Sequence, residues 1–445
     1  MSPSRAPDDF EERLSIEELR ETWSLLSEED RVLGFKMAPY EDAEDFFLSL
    51  PAREQAELVA SLPPGERRGW MRLLPPDDAA DLLQEAPPRI REELLSLLDD
   101  ATRKEVIALM AYAEDQAGGL MDPRFARLRP DMSVDEAISY LRRQVREYVG
   151  TLRYVYVLDD QQRLLGVVPF RELFSAPPAT RVRDLMGTDL ITVTENMDQE
   201  AVSRLFQRHS LNAIPVIDAE GRMKGIVTVD DIVDVVQEEA TEDIQKIGGM
   251  QALDQPYMSS PFLEMIRKRG GWLLVLFLGE MLTATAMGYF EEEIARAVVL
   301  TLFIPLIISS GGNSGSQAST LVIRAMALGE VGLRDWWRVM RREMAAGAAL
   351  GGLLGVIGFL RVVLWQQFSP VFGPHYVRIG LTVGGSLIGV VMFGTLAGSL
   401  LPFLLRRLRL DPASASAPFV ATLVDVTGLV IYFSLAIALL SGTLL

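Results

Sequence analysis

Five apolar stretches, each long enough to cross a lipid bilayer, fill the second half of this 445-residue chain. Their approximate limits are 271–290, 295–323, 344–365, 377–404 and 417–441. About 20 apolar residues in a helix span the hydrocarbon core, and a helix satisfies its own backbone polar groups where hydrocarbon offers them no partner. The pattern therefore predicts a polytopic α-helical membrane domain with five transmembrane helices.

Polar residues interrupt two of these stretches. The second stretch contains a glycine-rich polar run at 311–317, and the fifth contains one carboxylate, Asp425. Polar residues persist in a membrane helix where they face protein or a water-filled path, because hydrocarbon offers them no partners. The two features together predict that the chain moves something across a membrane.

Asp425 is the strongest candidate for a residue of the transport path. A carboxylate that faces water can hold a cation through the inner water shell of the ion, which suits Mg²⁺ because this ion dehydrates reluctantly. Ala417 and Ala421, two turns and one turn earlier on the same helix face, leave room for a hydrated ion. The alternative is a buried structural carboxylate that bonds to Thr422 or Thr427.

The polar run in the second stretch offers further candidates for the path. Asn313 and Gln317 lie one turn apart on one face and present neutral oxygens and donors to a water shell. An Asn–Gln clamp between helices is the structural alternative. Pro305 and the glycines that follow it, among them Gly311 and Gly312, are expected to loosen this helix.

Other residues of the apolar stretches have packing roles or open ones. Glu280, in the first stretch, either lines the path or bonds to Thr283 and Thr285. The third and fourth stretches are rich in glycine at small-xxx-small spacing, which lets helices approach closely. We therefore expect a tightly packed bundle.

The charge of the chain is divided unevenly. The formal net charge is −18, but ten acidic and fourteen basic residues follow Ser260, which leaves a net charge of −22 on the first 260 residues. This acidic half argues against nucleic acid as a partner, because phosphates would be repelled, and it suits hard divalent cations. It is equally compatible with a cytosolic domain that acidic residues keep soluble. The absence of cysteine excludes disulfides and thiolate metal sites.

Positive charge in the loops predicts the orientation in the membrane. Basic residues precede the first apolar stretch and fill the second and fourth loops, whereas the alternate loops hold Glu291, Glu292 and Glu293 or are nearly uncharged. By the positive-inside rule, the N-terminus is cytoplasmic and the C-terminus lies outside. The start of the chain, residues 1–20, is polar and acidic and does not have the pattern of a signal peptide. We expect a multi-pass protein of the cell (inner) membrane with a cytoplasmic N-terminal half.

A phrase that recurs about every 12 residues marks the N-terminal region. It begins at Leu62, Leu74 and Ala86, and each copy continues with two prolines and then with apolar residues at helical spacing. Proline fits the first turn of a helix and ends the preceding one. The recurrence predicts an all-α, solenoid-like domain built from short helices.

A second repeat, about 60–65 residues long, follows. The phrase at Leu120 aligns with that at Leu185, and the β-branched run at Val155 aligns with that at Ile214. Each copy has the pattern of a helix, two short strands around a turn, and another helix. The repeat resembles a tandem pair of CBS domains, a regulatory α/β module.

The resemblance to CBS domains implies a nucleotide site in one copy. CBS copies often bind adenine nucleotides through a Gly-x-x-Thr-x-x-Asp phrase, whose hydroxyl and carboxylate can grip a ribose. The second copy has this phrase as Gly225, Thr228 and Asp231, and the first copy lacks it. A regulatory ATP is therefore expected at one site, with helix capping by Thr228 as the alternative.

Together these patterns predict a multidomain chain. An acidic linking helix, broken at Gly248 and Gly249, joins the CBS pair to the membrane domain. The expected parts are a helical N domain at 1–119, CBS domains at 120–182 and 183–236, a linking (plug) helix at 237–266, and a transmembrane pore domain at 267–445.

Phrases along nearly the whole chain resemble the MgtE family of magnesium transporters. In the membrane half these are the run at 311–317 after Pro305, and the segment 411–428 that contains Asp425. The residues at 253–257 and the phrase at Leu74 are similar as well. The order of the parts is that of the family, and this order is more specific than any single motif.

The resemblance implies a homodimeric, magnesium-selective channel in a lipid bilayer. Its pore would run along the dimer axis between the second and fifth spans, with two copies of Asp425 facing each other. The positions expected along the path are Asp425, Ala421, Ala417, Asn313, Gly311, Gly312 and Gln317.

The resemblance also implies a gating mechanism. In the family, cytosolic Mg²⁺ closes the pore by bridging acidic faces of the N domain, the CBS pair and the linking helix, and self-repulsion of the acidic half is a physical reason for such bridging. The expected ligands are Glu238, Glu239, Glu242 and Asp243 on the linking helix, Asp411 before the fifth span, and Asp77, Asp78 and Asp81 on the N domain. The last three stand at a helix start, where acids also act as caps.

Other functions fit parts of the pattern. A CBS-regulated secondary transporter of another ion or solute is the main alternative. An enzyme has little support, because the only two histidines, His209 and His375, form no nucleophile–base pair at a recognisable spacing. Carboxylates and amides accept Mg²⁺, Mn²⁺, Co²⁺ and Ni²⁺ alike, so the choice among these ions stays open.

Overall fold

The computed structural model describes residues 16–147, 153–253, 257–258 and 260–444. It forms two compact units, one that ends at Gln237 and one that begins at Glu238. Residues 1–15, on which most of the signal-peptide argument depends, lie outside the described residues. So do Asp254, Gln255 and Pro256 of the phrase at 253–257.

Short helices form the first part of the first unit. Pro64, Pro76 and Pro88 each lie in the first turn of a helix, as the recurring phrase predicts. Most of these helices pack mainly on the second one after them along the chain, as α4 does on α6 and α6 on α8. The helices are α1 Ile16–Thr22, α2 Glu28–Met37, α3 Tyr40–Leu48, α4 Ala52–Ser61, α5 Pro64–Met71, α6 Pro76–Glu85, α7 Pro88–Leu97 and α8 Asp100–Leu109, with a 3₁₀ turn at Trp23–Leu25.

Two copies of one α/β arrangement follow. In each described sheet, a short first strand pairs parallel with the second, which pairs antiparallel with the third. Tyr156 lies opposite Val167 in the first copy as Pro215 lies opposite Ile226 in the second, so the repeat in the sequence is a repeat in register. The strands are β1 Arg127–Leu128, β2 Tyr154–Leu158, β3 Leu164–Pro169, β4 Val193–Thr194, β5 Ala213–Ile217 and β6 Met223–Thr228. The helices are α9 Val134–Glu147, α10 Phe170–Ser175, α11 Val182–Leu185, α12 Gln199–His209 and α13 Val229–Ile247.

Among its described residues, the second unit contains five helices that are long and apolar enough to cross a membrane. Their number agrees with the five predicted stretches, and several extend beyond the apolar core into charged ends. The helices are α14 Phe262–Tyr289, α15 Glu291–Arg296, α16 Ile304–Ala327, α17 Trp336–Phe368, α18 Tyr376–Arg407 and α19 Ala417–Leu440, with 3₁₀ turns at Val298–Phe303, Leu333–Asp335 and Pro412–Ser414. The spans run through α14, the 3₁₀ turn with α16, the 3₁₀ turn with α17, α18 and α19.

Glycines hold α16 against α18 at backbone distance. A Cβ atom added to Gly394 would collide with the carbonyl oxygen of Gly311, and one added to Gly398 would collide with that of Gly315. Pro305 lies in the first turn of α16, where proline is tolerated, and α16 is continuous through its glycines. These glycines therefore serve close packing instead of loosening the helix, as the spacing of small residues predicts for a tight bundle.

Candidate functional site

Asp425 lies on α19 within the apolar part of the second unit. It is partly exposed, and among the described residues it makes no hydrogen bond or ion pair. The hydroxyl of Thr422 donates to the carbonyl of Pro418 at 3.0 Å, and that of Thr427 donates to the carbonyl of Leu423 at 2.7 Å. Both hydroxyls that could have bonded to a structural Asp425 are thus engaged with the backbone of their own helix.

Small side chains line the approach of α19 to α16. The hydroxyl of Ser316 donates to the carbonyl of Ala417 at 3.1 Å. One turn further, a Cβ atom on Gly312 would lie 3.5 Å from Cβ of Ala421. The chain numbers fall along α16 as they rise along α19, so the two helices are antiparallel. Ala417, Ala421 and Asp425 therefore follow one another along the side of α19 next to α16.

The polar run of α16 is divided between two faces. Gly311 and Gly312 are buried, whereas Asn313 and Gln317 are exposed on the opposite side. The side-chain amide of Asn313 donates to the hydroxyl of Ser309 at 3.4 Å, so no Asn–Gln clamp forms within this chain. The exposed face borders an open groove of about 440 Å³ lined by Ser316, Gln317, Thr320 and Leu321.

Helix α14 packs on the other side of α19. The indole of Trp272 donates to the hydroxyl of Ser416 at 3.1 Å. Two turns later, a Cβ atom on Gly279 would lie 2.7 Å from Cγ2 of Thr422. Contacts advance in the same direction along both helices, so α14 and α19 are parallel.

Glu280 follows directly after this contact and lies within electrostatic range of Asp425. It is exposed and has no hydrogen bond or ion pair among the described residues. The hydroxyl of Thr285 donates to the carbonyl of Met281 at 3.1 Å, and the buried hydroxyl of Thr283 has no partner in the described part of the chain. Glu280 therefore does not bond to Thr283 or Thr285, which was one of its two predicted roles.

A second group of acids lies in the first unit, between α6 and the second α/β copy. The carboxylate of Asp77 is only 8% exposed, and its Oδ1 has no hydrogen-bond partner among the described residues. The charges of Asp122 and Asp231 act on Asp77, and those of Asp230 and Asp234 on α13 act on its neighbour Asp78. Asp81, the third predicted acid, lies on the same helix and interacts with another group of the protein.

Burial and mutual repulsion raise the pKa values of these acids. Burial, followed by repulsion from Asp230 and Asp234, raises the pKa of Asp78 to about 6. Burial is also the main cause that raises the pKa of Asp122 to about 6 and that of Asp231 to about 7. The pKa of Asp77 is raised well above its ordinary value for the same reason, with Asp122 as the first repelling neighbour.

These carboxylates approach one another without forming a finished coordination shell. No three His, Cys, Asp or Glu side chains in the described ranges come close enough to hold one metal ion directly. The orphaned oxygen of Asp77 and the all-oxygen donor set nevertheless fit a hard divalent cation that keeps part of its water shell. Sequence reasoning missed Asp122, Asp230 and Asp234; the acidic start of α13 was the available signal.

The predicted nucleotide residues are engaged with one another and with the protein. The hydroxyl of Thr228 donates to Oδ2 of Asp231 at 2.6 Å, and its backbone N–H donates to the same oxygen at 3.0 Å. A Cβ atom on Gly225 would lie 2.7 Å from the carbonyl oxygen of Asp122. Thr228 and Asp231 thus bond to each other at the start of α13, an arrangement similar to the predicted alternative in which Thr228 caps this helix.

The acids predicted on the linking helix lie on α13, and Asp411, predicted before the fifth span, lies just before α19. Glu238, Glu239 and Asp243 each interact with another group of the protein. Glu242 and Asp411 share one partner, because both form an ion pair with Lys246. An ammonium of this chain therefore stands between two predicted metal ligands.

Three family models cover most of the chain. Residues 304–435 match MgtE, described as a divalent cation transporter, and residues 14–115 match the MgtE intracellular N domain. Residues 117–179 and 182–238 each match the CBS domain. The order of these matches is the order of the helical, α/β and apolar parts described above.

Several known proteins are similar to this chain. The magnesium transporter MgtE of Thermus thermophilus is 42% identical over 335 residues, which are 75% of this chain and 72% of that protein. The magnesium transporter MgtE of Bacillus subtilis is 32% identical over 330 residues, 74% of this chain and 71% of that protein. The solved cytosolic domain of the Mg²⁺ channel MgtE in complex with ATP is 40% identical and covers 50% of this chain and 91% of its own, with a TM-score of 0.47.

Proposed function

Because this chain belongs to the MgtE family of magnesium transporters, we propose that it carries Mg²⁺ across a membrane along a path between α16 and α19, with Asp425 as the central ion-binding residue. Family membership confirms the resemblance found in the sequence and the fold that it implied. It also assigns the chain to transport and not to enzyme catalysis.

The observation that carries the proposal is the unpartnered carboxylate of Asp425. A charged side chain in a membrane helix costs several kcal/mol unless water or a counter-charge compensates it. Among the described residues Asp425 has neither a cationic partner nor a hydroxyl donor. A hydrated cation supplies both the opposite charge and the donors.

The surroundings of Asp425 support a hydrated ion. Ala417 and Ala421 are short side chains on its face, and Asn313 and Gln317 offer amide groups on the exposed face of α16. Magnesium retains several waters when carboxylates bind it, so room for water and neutral hydrogen-bonding groups suits it. Gly311 lets α16 approach α18 and α19 closely, and Gly312 lies next to Ala421 of α19.

The exposed polar face of α16 supports a second copy of the chain as partner. Asn313 and Gln317 are exposed along a helix of membrane length, and hydrocarbon cannot satisfy all the donors and acceptors of their amides. A homodimer that pairs this face across a two-fold axis encloses the groove and brings the two Asp425 residues to one path.

The arrangement of the helices supports an odd number of crossings. Helix α14 runs parallel to α19 and α16 runs antiparallel to it, as expected for first, fifth and second spans. With arginines concentrated in the second and fourth loops, the proposed orientation is a cytoplasmic N-terminus and an outer C-terminus in the cell (inner) membrane.

Magnesium uptake tests the path directly. We expect Asp425→Asn and Asp425→Ala to abolish growth and ²⁸Mg uptake in cells that depend on this protein, while the purified variants remain dimeric. Glu292→Gln is the matched control, because Glu292 is an exposed carboxylate outside the spans that pairs with Arg296 at 3.1 Å. Normal uptake by both Asp425 variants would remove Asp425 from the path.

The coupling of uptake to other ions separates the two transport mechanisms. A channel follows the membrane potential and the Mg²⁺ gradient alone. A secondary transporter of another ion or solute is the alternative function. Its uptake of that ion or solute into liposomes would stop when a proton or sodium gradient is removed.

Regulation by cytosolic Mg²⁺ is the second part of the proposal. Asp77 and Asp78 of α6 would share Mg²⁺ with Asp122 and Asp231 of the α/β pair, since like charges of this density repel one another until a divalent cation intervenes. The bound ion would supply positive charge and water-mediated hydrogen bonds. Glu238, Glu239 and Asp243 on α13 and Asp81 on α6 are further proposed ligands.

A nucleotide is a further proposed ligand of the α/β pair. Gly225, Thr228 and Asp231 form the phrase that supports it, and ATP is the expected regulator. Since Asp231 bonds to Thr228 and also faces Asp78, nucleotide and Mg²⁺ would draw on the same carboxylate. Titration of the full chain with ATP, with and without Mg²⁺, and with Asp231→Asn as comparison, measures whether such a site exists.

A further inference from the structure

Lys246, in the last turn of α13, lies between two carboxylates. Its ammonium nitrogen is 2.6 Å from Oδ2 of Asp411 and forms a second ion pair with Glu242, one turn earlier on the same helix. The side chain of Lys246 is 26% exposed and that of Asp411 is 37% exposed, so water screens the pair only in part. The three groups join the end of the linking helix to the segment that leads into α19.

Both carboxylate oxygens of Asp411 are already engaged. While Oδ2 accepts from Lys246, Oδ1 accepts from the backbone N–H of Ala413 at 2.8 Å. The second bond caps the short 3₁₀ turn Pro412–Ser414 that precedes α19. A metal ion at Asp411 would have to share these oxygens with the cap and lie beside the positive charge of the ammonium, so the arrangement disfavours Asp411 as a metal ligand.

The turn after Lys246 is fixed to the same place. Gly249 has a φ of +76°, and a Cβ atom there would lie 3.0 Å from both Pro418 of α19 and Trp272 of α14. The backbone N–H of Gln251 donates to the carbonyl of Lys268 at 3.2 Å. The end of the linking helix is therefore seated on the starts of α14 and α19, and Lys246 supplies the charged contact.

We propose that Lys246 is a positioning residue that holds the linking helix on the start of α19, so that the charges of Glu242 and Asp411 are balanced by this ammonium and not by regulatory Mg²⁺. The proposal deepens the regulation proposed above and rests on it.

The two possible roles of Asp411 predict opposite effects for the loss of Lys246. If Asp411 and Glu242 bind Mg²⁺, Lys246 competes with the ion, and Lys246→Met should allow closure at a lower Mg²⁺ concentration. If Lys246 holds the helix in place, the same substitution weakens the closed state and closure should need more Mg²⁺. The sign of the shift therefore decides between them.

The test is patch-clamp recording from the full chain in liposomes, with Mg²⁺ titrated on the face of the N-terminal half. We expect Lys246→Met and Asp411→Asn each to raise the Mg²⁺ concentration for half closure by about fivefold, near the lower end of coupling between two sites. The double variant should show no larger shift than either single one, because the two residues share one interaction.

Two controls guard the result. Lys246→Arg keeps the charge and should stay near wild type, and Lys224→Met removes a lysine that pairs with Asp218 at 3.4 Å in the α/β pair and should not shift closure. A shift of Lys246→Met to lower Mg²⁺, or additive shifts in the double variant, would overturn the proposal while leaving regulation by Mg²⁺ intact.

A second readout does not depend on current or on Mg²⁺. Proteolysis of the turn at 248–253 in the purified, magnesium-free chain should be faster in Lys246→Met and Asp411→Asn to the same degree, and no faster in the double variant. Equal rates in wild type and single variants would refute the role of Lys246. Suppose that the wild-type channel does not respond to Mg²⁺, while the proteolysis rates of the single and double variants still show coupling between Lys246 and Asp411. The proposed regulation then fails and the positioning role stands.

Discussion

Glu280 of α14 and Asp425 of α19 bring two carboxylates within electrostatic range of each other inside the apolar part of the second unit. Among the described residues, neither acid accepts a hydrogen bond from the threonine hydroxyls nearest to it in sequence. Two like charges in such a place are stable when a cation lies between or beside them. Glu280 thus joins Asp425 as a candidate for the ion path.

Neutralising Glu280 should weaken transport without abolishing it. We expect Glu280→Gln to lower the apparent affinity for Mg²⁺ in uptake assays by about two- to fivefold, as for the loss of one partly solvated charge near a cation. Glu280→Asp keeps the charge and should lie closer to wild type. Equal affinities for wild type and Glu280→Gln would place Glu280 outside the path, whatever Asp425 does.

The glycine contacts between α16 and α18 predict a steep cost for one methyl group. Because a Cβ atom on Gly394 has no room beside Gly311, Gly394→Ala should lower the thermal unfolding midpoint of the purified chain, with a loss of about 1–3 kcal/mol typical of overpacking. Gly352→Ala in α17 is the matched control, since a Cβ atom there meets no atom within 4 Å. A similar midpoint for both variants would show that α16 and α18 are not in backbone contact.

The buried acids of the first unit, Asp78, Asp122 and Asp231, predict that the stability of the folded chain falls as the pH rises. Asp78, Asp122 and Asp231 have pKa values raised to about 6, 6 and 7, so the folded chain binds their protons more tightly than the unfolded chain. Above these pKa values, the ionised carboxylates lower the free energy of unfolding by their full contribution. This loss of stability disappears as the pH falls toward the ordinary pKa of 3.8. The charged groups concerned are Asp77, Asp78, Asp122, Asp230, Asp231 and Asp234, with Glu105 and Arg124 beside Asp122.

In the presence of EDTA, the thermal midpoint of the full chain should therefore be higher at pH 5.5 than at pH 7.5. Added Mg²⁺ should raise it more at pH 7.5, where the carboxylates are ionised. Asp78→Asn should reduce both effects, and Asp135→Asn, at an exposed acid of α9, should reduce neither. A larger rise of the thermal midpoint with Mg²⁺ at pH 5.5 than at pH 7.5 would contradict the proposed binding of Mg²⁺ by these carboxylates.

The sequence predicted those parts of the fold that depend on local pattern. Prolines at Pro64, Pro76 and Pro88 mark helix starts because their missing N–H costs nothing there. The five apolar stretches predicted the long helices because only a helix of that length satisfies its backbone in hydrocarbon. Asp425 stood out for the same reason.

Relationships between distant segments were less accessible. Nothing in the run at 311–317 shows that Gly311 faces α18 while Asn313 faces outward, because that division depends on which neighbours α16 has. The side chain of Asp411 has the chemistry of a metal ligand. Only the folded chain brings Lys246, 165 residues away in sequence, to its carboxylate.

The backbone contacts of α16 with α18 also limit how the protein can move. Helices that meet through side chains can slide by changing rotamers, but Gly311 and Gly315 meet Gly394 and Gly398 without any side chain to rearrange. We therefore expect α16 and α18 to keep their positions when the passage widens or narrows. The contact of α14 with α19 includes the side chains of Trp272 and Phe419, which can change rotamer, and we expect movement there instead.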